Sequence, residues 1–222
     1  MWLNNKSVND IVALAFKPQC LAFAHIKKTH TQVPYTMVRY KQTAFNNLEL
    51  EKQIIFNPTH IGKYISALLC EYGLGNADIR MSLDGPTIFE TLSTTAEPGA
   101  DELDTKLKNF VWEDIVIPLD STTPIRYVCG ISRELLFQYK LLAIKHALNI
   151  TCITTSNAAL LNFVEILPDI NKVQRPTKIE DIASLISISL IHGQCANIPT
   201  QNPLLMAELV GLSTVGLSYE ND

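Results

Sequence analysis

Few residues of this 222-residue chain have the type and spacing that chemistry needs. Lys17 stands in a Lys17-Pro18-Gln19 turn between two apolar runs, Ile11 to Phe16 and Cys20 to Ile26. A lone cation on such a turn can attract a phosphate. A phosphate cradle, however, is built from backbone N–H groups that approach the ligand closely, which glycine permits and bulky residues obstruct. Here Ala15, Phe16 and Lys17 precede a proline that lacks an N–H altogether. Asp84 could serve as a general base, but it opens Asp84-Gly85-Pro86, and turn chemistry accounts for it. Gly73-Leu74-Gly75 ends an apolar helical pattern instead of opening one, and no third glycine follows at dinucleotide spacing.

The five histidines (His25, His30, His60, His146, His192) keep no metal-ligand spacing. His25 shares a strand face with Leu21 and Phe23, and His146 lies on the apolar stripe of its helix, so both read as packing residues. The five cysteines (Cys20, Cys70, Cys129, Cys152, Cys195) form no CxxC pair and sit in apolar contexts, as reduced core thiols do. The carboxylates of 97–104 read as a solvated helix start. No GxxxxGK[ST], GxSxG or HExxH occurs. The sequence therefore predicts no catalytic residue, no cofactor and no metal.

Composition narrows the class further. The chain is 47% hydrophobic and 18% charged, with a net charge of −4 and a pI near 5.7. That balance carries no electrostatic footprint for nucleic acid or an anionic membrane. No signal peptide is expected, and no apolar run is long enough to span a bilayer.

The elements that must position these residues follow from periodicity. After the opening hairpin, 35–45 reads as a third strand rich in β-branched and aromatic residues. Asn57-Pro58 supplies an N-cap and first-turn proline for a helix to about Tyr72, stopped by Gly73 and Gly75. Strands are expected at 77–83, 87–93, 114–119, 125–131 and 150–155, and helices at 98–112, from Ser132 to about Leu148, and from Asn157 to Leu167. After the connector 168–176, Thr177 and Glu180 form a capping box for a helix to about His192. The tail from Asn197 is loosely patterned. This alternation predicts an α/β fold in two layered units: a main one from 8–85 plus 150–195, and an inserted one from 86–149, with 196–222 as a tail.

The order and its boundaries resemble the first lobe of the PilM family, actin-like cytoplasmic proteins of type IV pilus assembly related to the GspL cytoplasmic domain and to FtsA. The stretches 11–28, 65–92, 126–151 and 184–193 carry the resemblance. In the last of these, Ser187-Ile188-Ser189-Leu190 stands where the family's closing helix usually has Gly-Leu-Ala-Leu. The resemblance implies an actin-like (ribonuclease H-like) first lobe with a small inserted α/β subdomain. Two departures accompany it. The first turn lacks the family's acidic residue and glycine. No Asp-x-Gly turn of a second, nucleotide-binding lobe occurs anywhere in the chain, so that lobe is expected to be missing.

The expected function is a non-enzymatic scaffold, a pseudo-ATPase module of a type IV pilus or type II secretion-like assembly platform. By the resemblance it binds the N-terminal cytoplasmic tail of a bitopic inner-membrane protein in the crevice between the two units. It would then be cytoplasmic and held near the membrane through that partner, with a homodimer as a further option. Met81, Leu83, Ile88, Arg126 and Tyr127 are the candidate partner-binding residues, because the resemblance places 81–88 at the crossing between the units and the strand carrying Arg126 and Tyr127 in the inserted one. The alternative is a remnant ATPase or kinase completed by a second chain, for which Lys17 is the sole support.

Overall fold

The computed structural model describes residues 10–18, 20–29, 33–46, 50–51, 54–55, 57–85, 88–93, 108–117, 125–167, 186–200 and 202–214. The two opening runs form the expected hairpin, β1 (Asp10–Lys17) and β2 (Cys20–Lys28), with Phe16 opposite Leu21 and Lys17 opposite Cys20. Next come β3 (Tyr35–Ala44), a short β4–β5 hairpin (Leu50–Glu51, Ile54–Ile55), α1 (Pro58–Glu71) and β6 (Asp78–Leu83). Strands β7 (Ile88–Ser93), β8 (Phe110–Ile117) and β9 (Ile125–Ser132) precede α2 (Arg133–Lys145). The chain then runs through β10 (Ile150–Thr155), α3 (Ser156–Glu165), α4 (Ile188–Gln194), β11 (Cys195–Ala196) and α5 (Pro203–Thr214).

One six-stranded sheet has the order β10-β6-β1-β2-β3-β11, and a separate antiparallel sheet has the order β7-β9-β8. β1, β6 and β10 are parallel, so their C-terminal ends lie side by side. β1 and β2 read as unbroken apolar runs because both faces of the sheet are covered. Val12, Leu14, Phe16, Leu21 and Phe23 pack with α1 and α2 on one face. Ala13, Ala15, Ala22 and Ala24 pack with α3 and α5 on the other. Alanine on that second face leaves room for the bulky side chains of α5, Leu205, Met206 and Leu209.

The helix ends follow local rules. The Asn57 side chain accepts from the His60 N–H, and Ser132 caps α2 through the Leu135 N–H. Gly73, at φ 69°, ends α1 with its N–H on the Cys70 carbonyl and the Leu74 N–H on the Leu69 carbonyl. The same closure at the end of α2 places Ala147 at φ 50°.

Three expectations need correction. Phe110 to Trp112 lie in β8, not in a helix over 98–112, because an aromatic and β-branched run facing β9 gains more from strand pairing; residues 94–107 lie outside those described. The helix expected over 177–192 is described only as α4, capped by Ser187, and residues 168–185 likewise lie outside. Gly193 does not end it; the helix runs to Gln194 and leads into β11 beside β3. The tail is not loosely patterned structure: α5 occupies Pro203–Thr214 and is buried from Leu205 to Ser213. A helix apolar on every side shows no stripe, since every side is covered.

Candidate functional site

The C-terminal ends of β1, β6 and β10 form the place where open α/β sheets bind their ligands. Lys17 closes β1, Ser82 and Asp84 lie at and just beyond the end of β6, and Ser156 follows β10. The register aligns Ala15, Ser82 and Thr154 across the three strands. This is where Lys17, the lone cation of the first turn, lies.

The position is filled from within the chain. The Lys17 ammonium sits 2.7 Å from Glu208 Oε2, donates to Ser156 Oγ at 2.9 Å, and lies 3.7 Å from Asp84 Oδ2. Ser82 Oγ donates to Glu208 Oε1 at 2.5 Å, and Ser156 Oγ donates to the Leu83 carbonyl at 3.2 Å. Glu208 comes from α5, and its side chain is only 3% exposed, against 23% for Lys17 and 53% for Asp84. Burying a carboxylate is costly unless it is paired and hydrogen-bonded, and both of its oxygens are. α5 is fixed at its ends as well: Asn202 accepts from the Leu205 N–H, and Arg80 donates to the Leu212 and Ser213 carbonyls.

A second polar cluster joins the two sheets. The Tyr127 phenol, on the central strand β9 of the smaller sheet, donates to Glu90 Oε1 at 2.5 Å and lies 2.9 Å from Thr155 Oγ1 at the end of β10. Asn157 donates to Glu90 Oε2 at 2.8 Å, while Thr155 caps α3 through the Ala158 N–H. Burial first, and the Glu90 carboxylate next, push the phenol far above its ordinary pKa. It is a neutral donor at every physiological pH.

The candidate partner-binding residues fare unevenly. Met81, Leu83 and Tyr127 have no exposed surface. They are core, because β6 lies between β1 and β10 and the Tyr127 ring is enclosed between the sheets. That corrects the expectation that they line an open crevice. Ile88 and Arg126 are half-buried on β7 and β9. His25 is buried against Asp10, and the His146 ring packs on Gly62, as packing residues do.

Open apolar surface lies elsewhere. Phe137, Leu141 and Ile144 on α2 are 61%, 48% and 78% exposed, spaced to share one face of the helix. Beside them is a groove of about 360 Å³ between α2 and the start of α1, floored by Ile55, Pro58, Leu141, Leu142 and Ile144. Sequence reasoning missed both this stripe and Glu208. Glu208 had a signal: it is the one charged residue in Leu204 to Leu212.

Among solved structures, the chain is similar to the PilM-PilN type IV pilus biogenesis complex, at 11% identity and a TM-score of 0.52, over 70% of this chain and 50% of that one. It is also similar to the cytoplasmic domain of EpsL, an inner membrane component of the type II secretion system of Vibrio cholerae, at 9% identity, a TM-score of 0.43, and 76% and 59% coverage. A Bacteroides thetaiotaomicron protein with an actin-like ATPase fold and unknown function gives 9% identity, a TM-score of 0.37, and 74% and 58% coverage. No protein-family model matches, and no curated protein does. The first likeness establishes the fold, the actin-like α/β unit that the sequence resemblance implied. The chain spans about half the length of the structures it matches. No helix among the described residues is long and apolar enough to cross a membrane.

Proposed function

We propose that this chain is a non-enzymatic adaptor of a type IV pilus or type II secretion-like assembly platform, holding the N-terminal cytoplasmic tail of a bitopic inner-membrane protein. The observation that carries the reading is the apolar groove between α2 and the start of α1, lined by the exposed Leu141 and Ile144. A groove with an apolar floor and a polar rim, here Gln138 and Lys145, suffices to hold a short peptide without a catalytic group. It replaces the 81–88 crossing as the proposed docking place, since Met81, Leu83 and Tyr127 are buried.

Two facts support the reading. One solved structure with a similar fold is the PilM-PilN type IV pilus biogenesis complex. The one cation on the first turn is engaged by Glu208, Ser156 and Asp84, which weighs against the alternative of a remnant ATPase completed by a second chain. On this reading the adaptor is cytoplasmic and reaches the membrane through its partner.

The test is calorimetric titration with synthetic tail peptides from membrane proteins encoded beside it. A Kd near micromolar, about 8 kcal/mol, is expected. L141D/I144D should abolish the heat while leaving the circular dichroism spectrum unchanged. Equal binding by wild type and variant would refute the groove.

A further inference from the structure

We infer that Glu208 is a built-in occupant of a small-oxyanion site, and that removing its carboxylate leaves a pocket at Lys17 that takes a free phosphate or carboxylate. The inference stands on the geometry of the cluster and is independent of whether a tail peptide docks on α2.

The donors converge on one point. Lys17 Nζ reaches Glu208 Oε2 at 2.7 Å, and Ser82 Oγ reaches Oε1 at 2.5 Å, so each carboxylate oxygen has its own donor from a different strand. Ser156 Oγ, 2.9 Å from the same ammonium, stands at the start of α3. The two donors belong to β1 and β6, neighbouring strands of the sheet, and Ser156 at the β10–α3 junction accepts from the Lys17 ammonium and so holds it in place. The carboxylate alone comes from α5, whose neighbouring residues Ala207 and Leu209 are wholly buried and apolar. Truncating Glu208 therefore leaves a small space with a cation and a hydroxyl already aimed into it. Such preorganised donors bind oxyanions without ordering new groups.

Charge sets how well. Lys17 (+1) faces Glu208 (−1) and Asp84 (−1), so the cluster sums to −1 as it stands and repels a further anion. Removing Glu208 brings it to 0, and removing Asp84 as well brings it to +1. Asp84 lies 3.7 Å from the ammonium and is half exposed, so it opposes the incoming anion only partly.

The experiment is thermal unfolding of wild type, E208A, E208A/D84N and E208A/K17M at pH 7.5, in chloride, acetate and phosphate of matched ionic strength. Wild type should show only the general, non-saturating effect each salt has on any fold, and every variant is read as its shift relative to wild type in the same salt. E208A should melt lower in chloride and regain a saturable rise of about 5–10 °C when the anion reaches ~100-fold its Kd. E208A/D84N should saturate at lower anion concentration, and E208A/K17M should lose the anion-specific rise. A rise with acetate alone assigns the pocket to carboxylates, and a larger rise with phosphate assigns it to phosphoryl groups; either supports the inference. The same response of E208A to all three salts overturns it. Should E208A be unfolded in chloride, recovery of its helical dichroism in acetate or phosphate supports the site. Failure to recover, together with an E208S variant equally blind to the anion, counts against it.

Discussion

Gly211 and Ala159 meet where α5 crosses α3, so closely that a Cβ on Gly211 would lie 1.8 Å from the Ala159 carbonyl oxygen. The clash is with backbone, which cannot step aside as a flexible side chain does. The crossing depends on the absence of a side chain at this one position, and it sets how deeply α5 can carry Glu208 toward Lys17.

G211A should therefore destabilise the fold by about 3 kcal/mol, the upper range for overpacking a core. Urea unfolding monitored by circular dichroism reads this directly. A change below about 0.5 kcal/mol would show that α5 is held less closely than described.

How much of this was legible in the sequence differs by element. The β1–β2 hairpin, the Asn57 and Ser132 caps and the Gly73 stop were, because each rests on a local rule that tertiary contacts did not override. α5 was not, because periodicity detects a helix only when one side faces water. The role of Lys17 was half legible. Its turn, with Phe16 and Pro18 beside it, already argued against a phosphate cradle. The partner that engages it comes from 191 residues further along the chain, and no spacing rule reaches that far. The five partner candidates were chosen by their place at the crossing (Met81, Leu83, Ile88) or on the inserted unit's strand (Arg126, Tyr127), and alternation cannot tell a covered sheet face from an open one. Hence Met81 and Leu83 proved to be core.

Replacing Lys17 tests the pair from the other side. K17M takes the ammonium from the buried Glu208 carboxylate and leaves it the Ser82 hydroxyl, and removing one partner of a buried pair costs about 3 kcal/mol. The double variant K17M/E208L, which removes both charges, should recover most of that loss. A double variant as unstable as K17M would mean that the damage is one of shape and not of charge.

Tyr127 carries the polar link between the two sheets. Y127F keeps the ring but removes the phenol from Glu90 and Thr155, leaving Glu90 with Asn157. A loss of about 2 kcal/mol is expected for a hydrogen bond to a charged group. Hydrogen exchange should quicken in β7 and β9 more than in β1, and a uniform increase would argue that the phenol does not join the sheets.

Ala147 offers a gain. It sits exposed at φ 50° at the end of α2, a conformation that costs an L-residue about 1–2 kcal/mol and glycine nothing. After the entropy that glycine adds to the unfolded chain, A147G should stabilise by about 0.5–1 kcal/mol. Its melting temperature should rise by a few degrees; a fall would contradict the left-handed closure.

The central claim is that this actin-like unit works without a nucleotide. Isothermal titration of the purified protein with Mg-ATP, at protein concentrations able to detect millimolar binding, tests it most directly. The account predicts no saturable heat, because Lys17 is engaged by Glu208, Ser156 and Asp84. Saturable binding that K17M abolishes would contradict it, and would move the ATPase or kinase reading to first place.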